Sequence, residues 1–414
     1  MKTEIILFED HCLADMTPLH LTRPAFAITC ACLTLADVVR EAARAAQAEV
    51  RAMVRDHLRP AASGAFPGVP GTDTAKLFLN ASLLPDSAYD AAIREMIAHG
   101  EAFLATSGQR VTAALVPAQR KLPEKLSPDS VTPWLLDLNL PLMDREVFRT
   151  FDCQFHVIKH LKELFPRNLE RRLSAGDFRE IRKGVWAADG VQVADTAVFH
   201  TEEGPVVLDR GVKVLDFTYF TGPVYVGAQS RIIERSSVKE FTCIGQTCKI
   251  GGEVEESVIE GFTNKQHHGF LGHAYVGSWV NLGAGTSNSD LKNTYGEIRL
   301  EFNGKRVDTG MQFLGCMIGD YSKSAINTSI FTGKIVGVSS MLYGFVGQHV
   351  PSFCNYARSF GQITECPVEQ AILIQKRMFS RRGITQTEDD MQLLKTVFDM
   401  TRSERLISDE PPAL

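Results

Sequence analysis

A six-residue repeat in the second half of the chain constrains the fold more than any other feature. Eight large apolar residues follow one another at this spacing, namely Leu208, Val214, Phe220, Val226, Ile232, Val238, Ile244 and Ile250. The phase breaks over residues 253–269 and returns between Leu271 and Leu342. A helix would instead show apolar residues three and four positions apart. A period of six suits a coil of three short strands, in which one apolar side chain of each hexapeptide points inward. We therefore predict a parallel β-helix of roughly eight coils over residues 204–352.

The first part of the chain alternates between strand and helix patterns, which predicts an α/β domain over residues 1–154. Residues 4–8 are apolar and predict a buried strand. Residues 35–58 and 84–100 have helical apolar spacing, and Asp86 is a candidate N-cap for the second of these helices.

Two further regions flank the predicted β-helix. Residues 155–203 are expected to form a linker region that contains a helix interrupted at Pro166. Residues 353–414 contain amphipathic patterns and predict a C-terminal helical extension. The expected fold class is thus an α/β domain, then a β-helix, then C-terminal helices.

Composition excludes several classes of partner. The chain has 44 Lys and Arg against 49 Asp and Glu, a net charge of −5, which predicts no nucleic-acid or anionic-membrane surface. No apolar run approaches the roughly 18 residues that span a bilayer. The N-terminal sequence is unlike a signal peptide, so a cytoplasmic protein is expected. Nine cysteines without metal-ligand spacing predict free thiols and no metal site.

Two polar interruptions of the repeat, residues 262–269 and 286–310, are candidate functional segments. In the second, apolar residues alternate before Asn303-Gly304, which predicts a projecting hairpin arm. Amide, ammonium and phenol groups suited to a sugar phosphate precede that arm. The residues that carry these groups, with one carboxylate among them, are Asn288, Asp290, Lys292, Asn293 and Tyr295.

The histidine beside the first interruption has the chemistry that acyl transfer to an amine requires. The amine must lose a proton as it attacks, and a histidine with a pKa near 6.5 is matched to that task. The carbonyl oxygen gains negative charge, for which a backbone N–H on a Gly-rich turn is a suitable donor. The turn at residues 282–285 lies one coil, roughly 18 residues, beyond His267, so we expect the two to stack.

The stretch "HHGFLGHAYVGSWVNLGAGT" resembles the acetyltransferase half of a family of bifunctional N-acetylglucosamine-1-phosphate uridylyltransferases/glucosamine-1-phosphate acetyltransferases. The family motif is met at His267, Leu271-Gly272, Val276-Gly277 and Asn281–Thr286. The resemblance implies a left-handed β-helix, His267 as the general base in preference to His268, and an Ala284 N–H that faces the thioester oxygen. It also implies acetyl-CoA as cosubstrate and a homotrimer with sites between neighbouring β-helices.

The family also suggests which side chains hold the acceptor. Its members carry an Asn-Tyr-Asp-Gly-x-x-Lys run after GAGT, whereas residues 287–295 present Asn, Lys and Tyr in another order. The acceptor sugar is therefore expected to differ. Lys265 and Arg235 are candidates for the sugar phosphate, and His268 is a candidate contact or a turn residue.

Contacts with the cosubstrate are expected from the Gly-rich turn and from the C-terminal helices. Gly283, Ala284 and Ala325 are the candidates on the coils. Arg377, Arg381 and Arg382 cluster where they can meet the phosphates of coenzyme A; the alternative is a solvated helix face.

Residues 16–29, "MTPLHLTRPAFAIT", resemble the segment after the nucleotide loop of sugar-phosphate nucleotidyltransferases. That loop is degenerate here, because Asp15 replaces its Arg and no glycine precedes Gly64. The acidic groups of Glu9, Asp10 and Asp15 are expected to repel a triphosphate unless Mg²⁺ intervenes. Arg23 is either a phosphate contact or a salt-bridged surface residue.

The leading hypothesis is an acetyl-CoA-dependent N-acetyltransferase that acts on an amino-sugar phosphate or a nucleotide-linked amino sugar in cell-envelope or polysaccharide synthesis. One alternative is a sugar-1-phosphate nucleotidyltransferase that forms an NDP-sugar in the N-terminal domain with Mg²⁺. Another is a non-enzymatic trimer that binds sugar nucleotides.

Overall fold

The structure is a computed structural model that describes residues 3–66, 74–108, 110–143, 147–302 and 304–405. The chain forms two compact units, Met1–Asp177 and Phe178–Leu414. The predicted fold class, an α/β domain followed by a parallel β-helix and C-terminal helices, is confirmed. Across the described ranges, no helix is both long enough and apolar enough to cross a membrane.

A five-stranded sheet forms the centre of the first unit, with the strand order β2-β1-β3-β5-β4. Its strands are β1 (Thr3–Phe8), β2 (Glu49–Met53), β3 (Ala75–Asn80), β4 (Phe103–Ser107) and β5 (Arg110–Val116). β1 pairs in parallel with β2 and β3, whereas β5 pairs antiparallel with β3 and β4. Every residue of β1 and β3 is buried, as expected for strands covered on both faces. The strand predicted at residues 4–8 is therefore confirmed.

Helices pack around this sheet. They are α1 (Leu35–Ala46), α2 (Arg59–Ala65), α3 (Tyr89–His99), α4 (Pro128–Asp137), α5 (His156–Lys159) and α6 (Leu161–Ala175), with short 3-10 turns at His11–Met16, Ala25–Ala27 and Asp56–Leu58. The helix predicted over residues 35–58 is wrong in its second half. α1 ends where Gln47 adopts the left-handed conformation, with φ of 52°. The segment that follows pairs with β1, because strand pairing outweighs its helical propensity.

α3 and α6 depart from expectation in smaller ways. Asp86 is not an N-cap; its Oδ1 accepts a hydrogen bond from the Ala88 N–H, ahead of α3. Pro166 lies inside α6 without interrupting it, since a proline removes a single main-chain hydrogen bond. The buried Asn168 of α6 donates to the Pro85 carbonyl at 2.8 Å, which ties α6 to the first unit. That unit extends to Asp177, beyond the expected boundary at residue 154.

The second unit consists of short strands stacked along the sides of the β-helix. In chain order they are β6 (Arg179–Arg182), β7 (Val185–Ala187), β8 (Gln192–Val193), β9 (Val198–His200), β10 (Val206–Leu208), β11 (Lys213–Val214), β12 (Tyr219–Thr221), β13 (Val224–Val226), β14 (Arg231–Ile232), β15 (Ser237–Val238), β16 (Thr242–Ile244), β17 (Lys249–Ile250), β18 (Glu253–Glu255), β19 (Val258–Ile259), β20 (Asn264–Lys265), β21 (Phe270–Gly272), β22 (Tyr275–Val276), β23 (Ser287–Asn288), β24 (Arg299–Phe302), β25 (Lys305–Asp308), β26 (Met317–Ile318), β27 (Lys323–Ser324), β28 (Ser329–Ile330), β29 (Ile335–Val336), β30 (Met341–Leu342), β31 (Phe345–Val346), β32 (Cys354–Ala357) and β33 (Gln362–Glu365).

The repeat residues form the interior of these coils. Each of the eight from Leu208 to Ile250 is at most 2% exposed, and they belong to one continuous apolar cluster. Burial of each such side chain contributes roughly 1.5–3 kcal/mol. A single coil cannot bury its own upper and lower faces, so neighbouring coils stabilise one another.

The β-helix is longer than predicted at its start. It begins at β7, ahead of residue 204, because β7 pairs in parallel with β10, and it has about nine turns. At its other end β32 and β33 pair antiparallel, within a region expected to be helical.

Two additions to the coils bear on function. β24 and β25 pair antiparallel, which confirms the predicted hairpin arm. The helices α7 (Val368–Ser380) and α8 (Glu388–Met400) follow the last strand. α7 packs on the coils through Phe379, whose ring centroid lies 4.6 Å from that of Trp279. Trp279 in turn stacks on Phe262 of the preceding coil, at 4.5 Å.

Candidate active site

A cleft of about 580 Å³ lies beside the end of α7, against four successive coils. Its walls combine a Gly-rich turn, a histidine, aromatic rings and basic side chains. The lining residues are Lys249, Phe262, Asn264, Gln266, His267, Trp279, Val280, Asn281, Leu282, Gly283, Ala284, Lys323, Ile326, Met378, Arg381 and Arg382.

The structure brings His267 and the Gly-rich turn into this one cleft. Both His267 and His268 are exposed, and of the two only His267 lines the cleft. The carbonyl of His268 accepts a hydrogen bond from the Gly285 N–H at 3.0 Å, so the turn that carries His267 is joined to the coil that carries Ala284.

The Ala284 N–H is available to a ligand. On either side of it, the Gly283 N–H donates to Ser324 at 3.0 Å and the Gly285 N–H donates to His268. Among the described residues, the Ala284 N–H has no protein acceptor. An N–H held between two paired amides is a preorganised donor for a developing oxyanion.

Close packing makes glycine necessary at two positions of this turn. A Cβ on Gly283 would lie 2.6 Å from the carbonyl carbon of Ala325, so Ala325 contributes backbone packing behind the turn. Gly285 has φ of +75°, and a Cβ there would meet the Asn327 side chain. Larger residues would push Ala284 out of its place on the cleft wall.

The cleft is rich in positive charge. Four basic residues line it, and no Asp or Glu is found among its described lining residues. Arg382 is oriented by a hydrogen bond to Asn264 Oδ1 at 2.9 Å. Burial lowers the pKa of Lys323 to about 8. The predicted residue Arg377 is exposed and lies outside the cleft lining, whereas Arg381 and Arg382 lie within it.

Sequence reasoning missed a ladder of polar residues on the cleft wall. Lys249, Asn264, Asn281 and Lys323 pair in register on successive coils. Each immediately precedes an inward-facing residue, and side chains alternate across a strand, so all four project outward. The sequence contains a signal for this ladder, because a polar residue stands one position before the inward residue of each of these coils.

The predicted acceptor residues do not gather in this cleft. Asn288 is buried, and its amide bonds both the N–H and the carbonyl of Gly272, at 3.0 and 2.9 Å. Lys292 donates to the Glu297 carbonyl at 2.6 Å. The remaining candidates Asn293, Tyr295 and Arg235 are exposed and outside the cleft lining.

Asp290 belongs to an ion cluster that the sequence did not reveal. The ring of His273 contacts Asp290 Oδ2 through Nδ1 at 2.9 Å and Glu256 Oε2 through Nε2 at 2.7 Å. Burial opposes the charged ring, but hydrogen bonds to Asp290 and Glu256 raise the pKa of His273 to about 9. Glu255, His273 and Asp290 also offer ligand atoms within 4.8 Å of one another. The ring thus has a carboxylate partner on each of its nitrogens.

The Lys265 side chain does not line the cleft, as a residue that binds the sugar phosphate there would have to do. It is 2% exposed and points into the coils, where its Nζ donates to backbone carbonyls. The proposed contact with a sugar phosphate is therefore replaced by an internal role.

The first unit also differs from the expected nucleotide loop. Glu9 is fully buried and pairs with Arg55 at 3.1 Å, and Asp10 pairs with Arg110 at 2.8 Å. These two carboxylates are thus neutralised inside the fold, contrary to the expectation that they repel a triphosphate. Asp15 lines a second cleft of about 600 Å³, whereas Arg23 is absent from its described lining.

The lining of this second cleft mixes acidic and basic groups. Its residues are His11, Cys12, Asp15, Ser107, Arg110, Thr132, Pro133, Leu136, Asp137 and Asp152. The one arginine among these described lining residues, Arg110, is already paired with the Asp10 carboxylate. The cleft therefore offers little free positive charge to a phosphate group.

Comparisons with known proteins confirm the resemblance noted above. Residues 5–182 match the sequence model of a family described as sugar nucleotidyl transferase. A bifunctional sugar-1-phosphate nucleotidylyltransferase/acetyltransferase of Sulfurisphaera tokodaii is 32% identical over 143 residues, which are 34% of this chain and 36% of that protein. The bifunctional protein GlmU of Ralstonia pickettii is 34% identical over 104 residues, 25% of this chain and 22% of that protein. The matches thus span about a third or less of the length of these relatives.

Among solved structures, an Arabidopsis UDP-N-acetylglucosamine acyltransferase aligns with 54% of this chain and 84% of its own, at 13% identity and a TM-score of 0.23. The description of the fold therefore rests on the strand pairing of this chain itself.

Proposed function

We propose that the protein is an acetyl-CoA-dependent N-acetyltransferase that acts on an amino sugar carrying a phosphate or a nucleotide. One observation carries the proposal: the imidazole of His267 and the Ala284 backbone N–H, which has no acceptor in the described part of the chain, line the same cation-rich cleft. A base and an oxyanion donor are the two groups that aminolysis of a thioester requires.

The reaction follows from these two groups. The amine nitrogen attacks the thioester carbon, and His267 accepts the proton that the nitrogen loses as the C–N bond forms. The carbonyl oxygen takes the electron pair of the C=O π bond and is stabilised by the Ala284 N–H. When the carbonyl reforms, the C–S bond breaks, and the coenzyme A thiolate leaves and takes the proton from His267. The products are an N-acetyl amide and the free thiol.

The cleft also suits the donor. Coenzyme A carries a pyrophosphate and a 3′-phosphate, and the basic side chains of Lys249, Lys323, Arg381 and Arg382 are complementary to them. Arg382 is already oriented by Asn264, which lowers the entropic cost of binding.

We further propose a homotrimer in which a neighbouring copy closes the cleft. Ile326 lines the cleft and is 68% exposed, and Phe345 of β31 is 62% exposed. Ile326 at the edge of the cleft and Phe345, which is outside the cleft lining, are apolar side chains of the kind that another chain covers. Light scattering of the purified protein distinguishes a trimer from a monomer.

The assay for the proposed function is release of coenzyme A thiol from acetyl-CoA in the presence of an amino-sugar panel. Glucosamine 1-phosphate, nucleotide-linked amino sugars and unmodified glucosamine separate the acceptor classes. Mass spectrometry of the product must show one added acetyl group on nitrogen. Absence of both turnover and acetyl-CoA binding across the panel would refute the proposal and favour the non-enzymatic alternative.

The family match of residues 5–182 favours a second activity, sugar-1-phosphate nucleotidyl transfer in the first unit. Asp15, Asp137 and Asp152 line its cleft and supply carboxylates of the type that Mg²⁺ binds together with substrate phosphates. Pyrophosphate release from nucleoside triphosphates and a sugar 1-phosphate, lost in Asp15→Ala, would establish this activity.

A further inference from the structure

A lysine occupies a position inside the β-helix where the preceding coils carry apolar residues. Along one side of the coils, Val214, Ile232 and Ile250 occupy the same inward register position. The next residue in that register is Lys265, which pairs opposite Ile250. Lys265 is 2% exposed, so its ammonium group lies within the coil interior.

Backbone carbonyls satisfy this ammonium group completely. Lys265 Nζ donates to the carbonyls of Gly251 at 2.8 Å, Gly269 at 2.6 Å and His267 at 3.2 Å. An ammonium has three hydrogens, so each has an acceptor. A Cβ on Gly252 would lie 2.8 Å from Nζ, so the glycine there makes room for the charge.

Two of these acceptors belong to the turn that presents His267. The Gly269 and His267 carbonyls are drawn together by one cation from inside the coil. From the next coil, the Gly285 N–H holds the intervening His268 carbonyl at 3.0 Å. The turn is thus fixed from two sides, and one of the two contacts comes from the Ala284 turn.

Stability alone does not explain a charge at this position. An apolar side chain would continue the ladder of Ile250 and would avoid removing a charge from water. Burial lowers the pKa of Lys265 to about 8, which reflects that cost. A side chain whose charge is costly to bury, but which holds three carbonyls in place, is expected where function depends on the geometry of the backbone.

We propose that Lys265 is a positioning residue for acyl transfer, because its buried ammonium fixes the 266–269 turn and with it the place of His267 beside the Ala284 N–H. The inference rests on the proposed function of His267. Lys265 contacts neither substrate nor cosubstrate and acts only through the backbone of the turn.

The test compares Lys265→Met with Ile250→Met, which places the same side chain at the same register position one coil earlier. We expect Lys265→Met to lower kcat by roughly 10- to 100-fold while KM for acetyl-CoA changes less than about threefold. Its melting temperature should fall modestly, because the Gly251 and His267 carbonyls lose their donor, but should stay well above the assay temperature, and Ile250→Met should retain wild-type kcat. A wild-type kcat in Lys265→Met, or an equal loss of kcat in Ile250→Met, would overturn the proposal.

A readout independent of activity separates this inference from the proposed function. Hydrogen exchange of the Gly285 amide reports whether the His268 carbonyl is held, and we expect faster exchange in Lys265→Met than in Ile250→Met. If wild-type protein shows no acyl transfer, the proposed function fails, and this comparison still decides whether Lys265 fixes the turn. Unchanged exchange in Lys265→Met would refute the positioning role whatever the activity.

Discussion

Replacement of His273 by Asn should change how the stability of the β-helix depends on pH. His273 is buried between Asp290 and Glu256, and its pKa of about 9 exceeds the value of about 6.5 expected in the unfolded chain. A difference of about 2.5 in pKa corresponds to about 3 kcal/mol of the free energy of unfolding.

The sign follows from proton binding. Because the folded state binds the proton more tightly, the contribution is fully present below about pH 6.5 and is lost as the pH rises through about 9. We therefore compare the difference in free energy of unfolding between the wild type and His273→Asn at two pH values. This difference should be about 3 kcal/mol larger near pH 6 than near pH 10.

Urea unfolding followed by circular dichroism at these two pH values measures the difference. The control is His200→Asn, since His200 is exposed and its Nδ1 lies 4.0 Å from the Glu202 carboxylate. An equal gap between wild type and His273→Asn at both pH values would refute the assignment of a charged, doubly bonded ring.

Three further predictions concern the cleft and its supports. Arg381→Gln combined with Arg382→Gln should raise KM for acetyl-CoA by roughly tenfold in steady-state kinetics with kcat little changed, whereas Arg377→Gln, outside the cleft, should not. Trp279→Ala removes the contacts that the Trp279 ring makes with Phe262 and with Phe379 of α7. It should lower the free energy of unfolding by about 2 kcal/mol in chemical denaturation. Asn288→Leu should lower it by about 1–3 kcal/mol because the Gly272 amide loses its partner, while KM for the amino sugar stays unchanged. A raised sugar KM would restore Asn288 as a ligand.

The repeat was predictable from sequence because one physical requirement recurs at fixed spacing. Each hexapeptide needs one apolar residue inside, and residues such as Ile232 and Ile250 meet it in phase. The same regularity hid the inward position of Lys265, since a polar residue at an inward position looks like the end of the pattern. Its burial depends on carbonyls of Gly251 and Gly269, which only the folded turn brings together.

The candidate site was predictable in its backbone part and less so in its side chains. Spacing along the coils predicts that His267 stacks on the GAG turn, and the family resemblance selects His267 over His268; His267 and the turn both line the cleft. Asn288 was expected to face a ligand, but its direction depends on strand register, which turns it inward toward Gly272. Lys323, on the cleft wall, is far from His267 in sequence because the hairpin arm intervenes.

In the first unit, too, contacts between residues distant in sequence determine features that local patterns did not predict. The residues after Gln47 have helical propensity, yet they pair with β1 as a strand. The acidic loop was expected to repel phosphate groups. Two arginines distant in sequence, Arg55 and Arg110, instead pair with Glu9 and Asp10 and neutralise them. No local pattern carries information about such partners.

The most direct test of the proposed mechanism is the turnover of His267→Ala measured together with its affinity for acetyl-CoA. With the acceptor that supports wild-type turnover, kcat should fall by roughly 10²- to 10⁴-fold, as expected for loss of a general base. Calorimetry should show an acetyl-CoA affinity close to that of the wild type, because the basic residues of the cleft remain. Full turnover by His267→Ala would contradict the account.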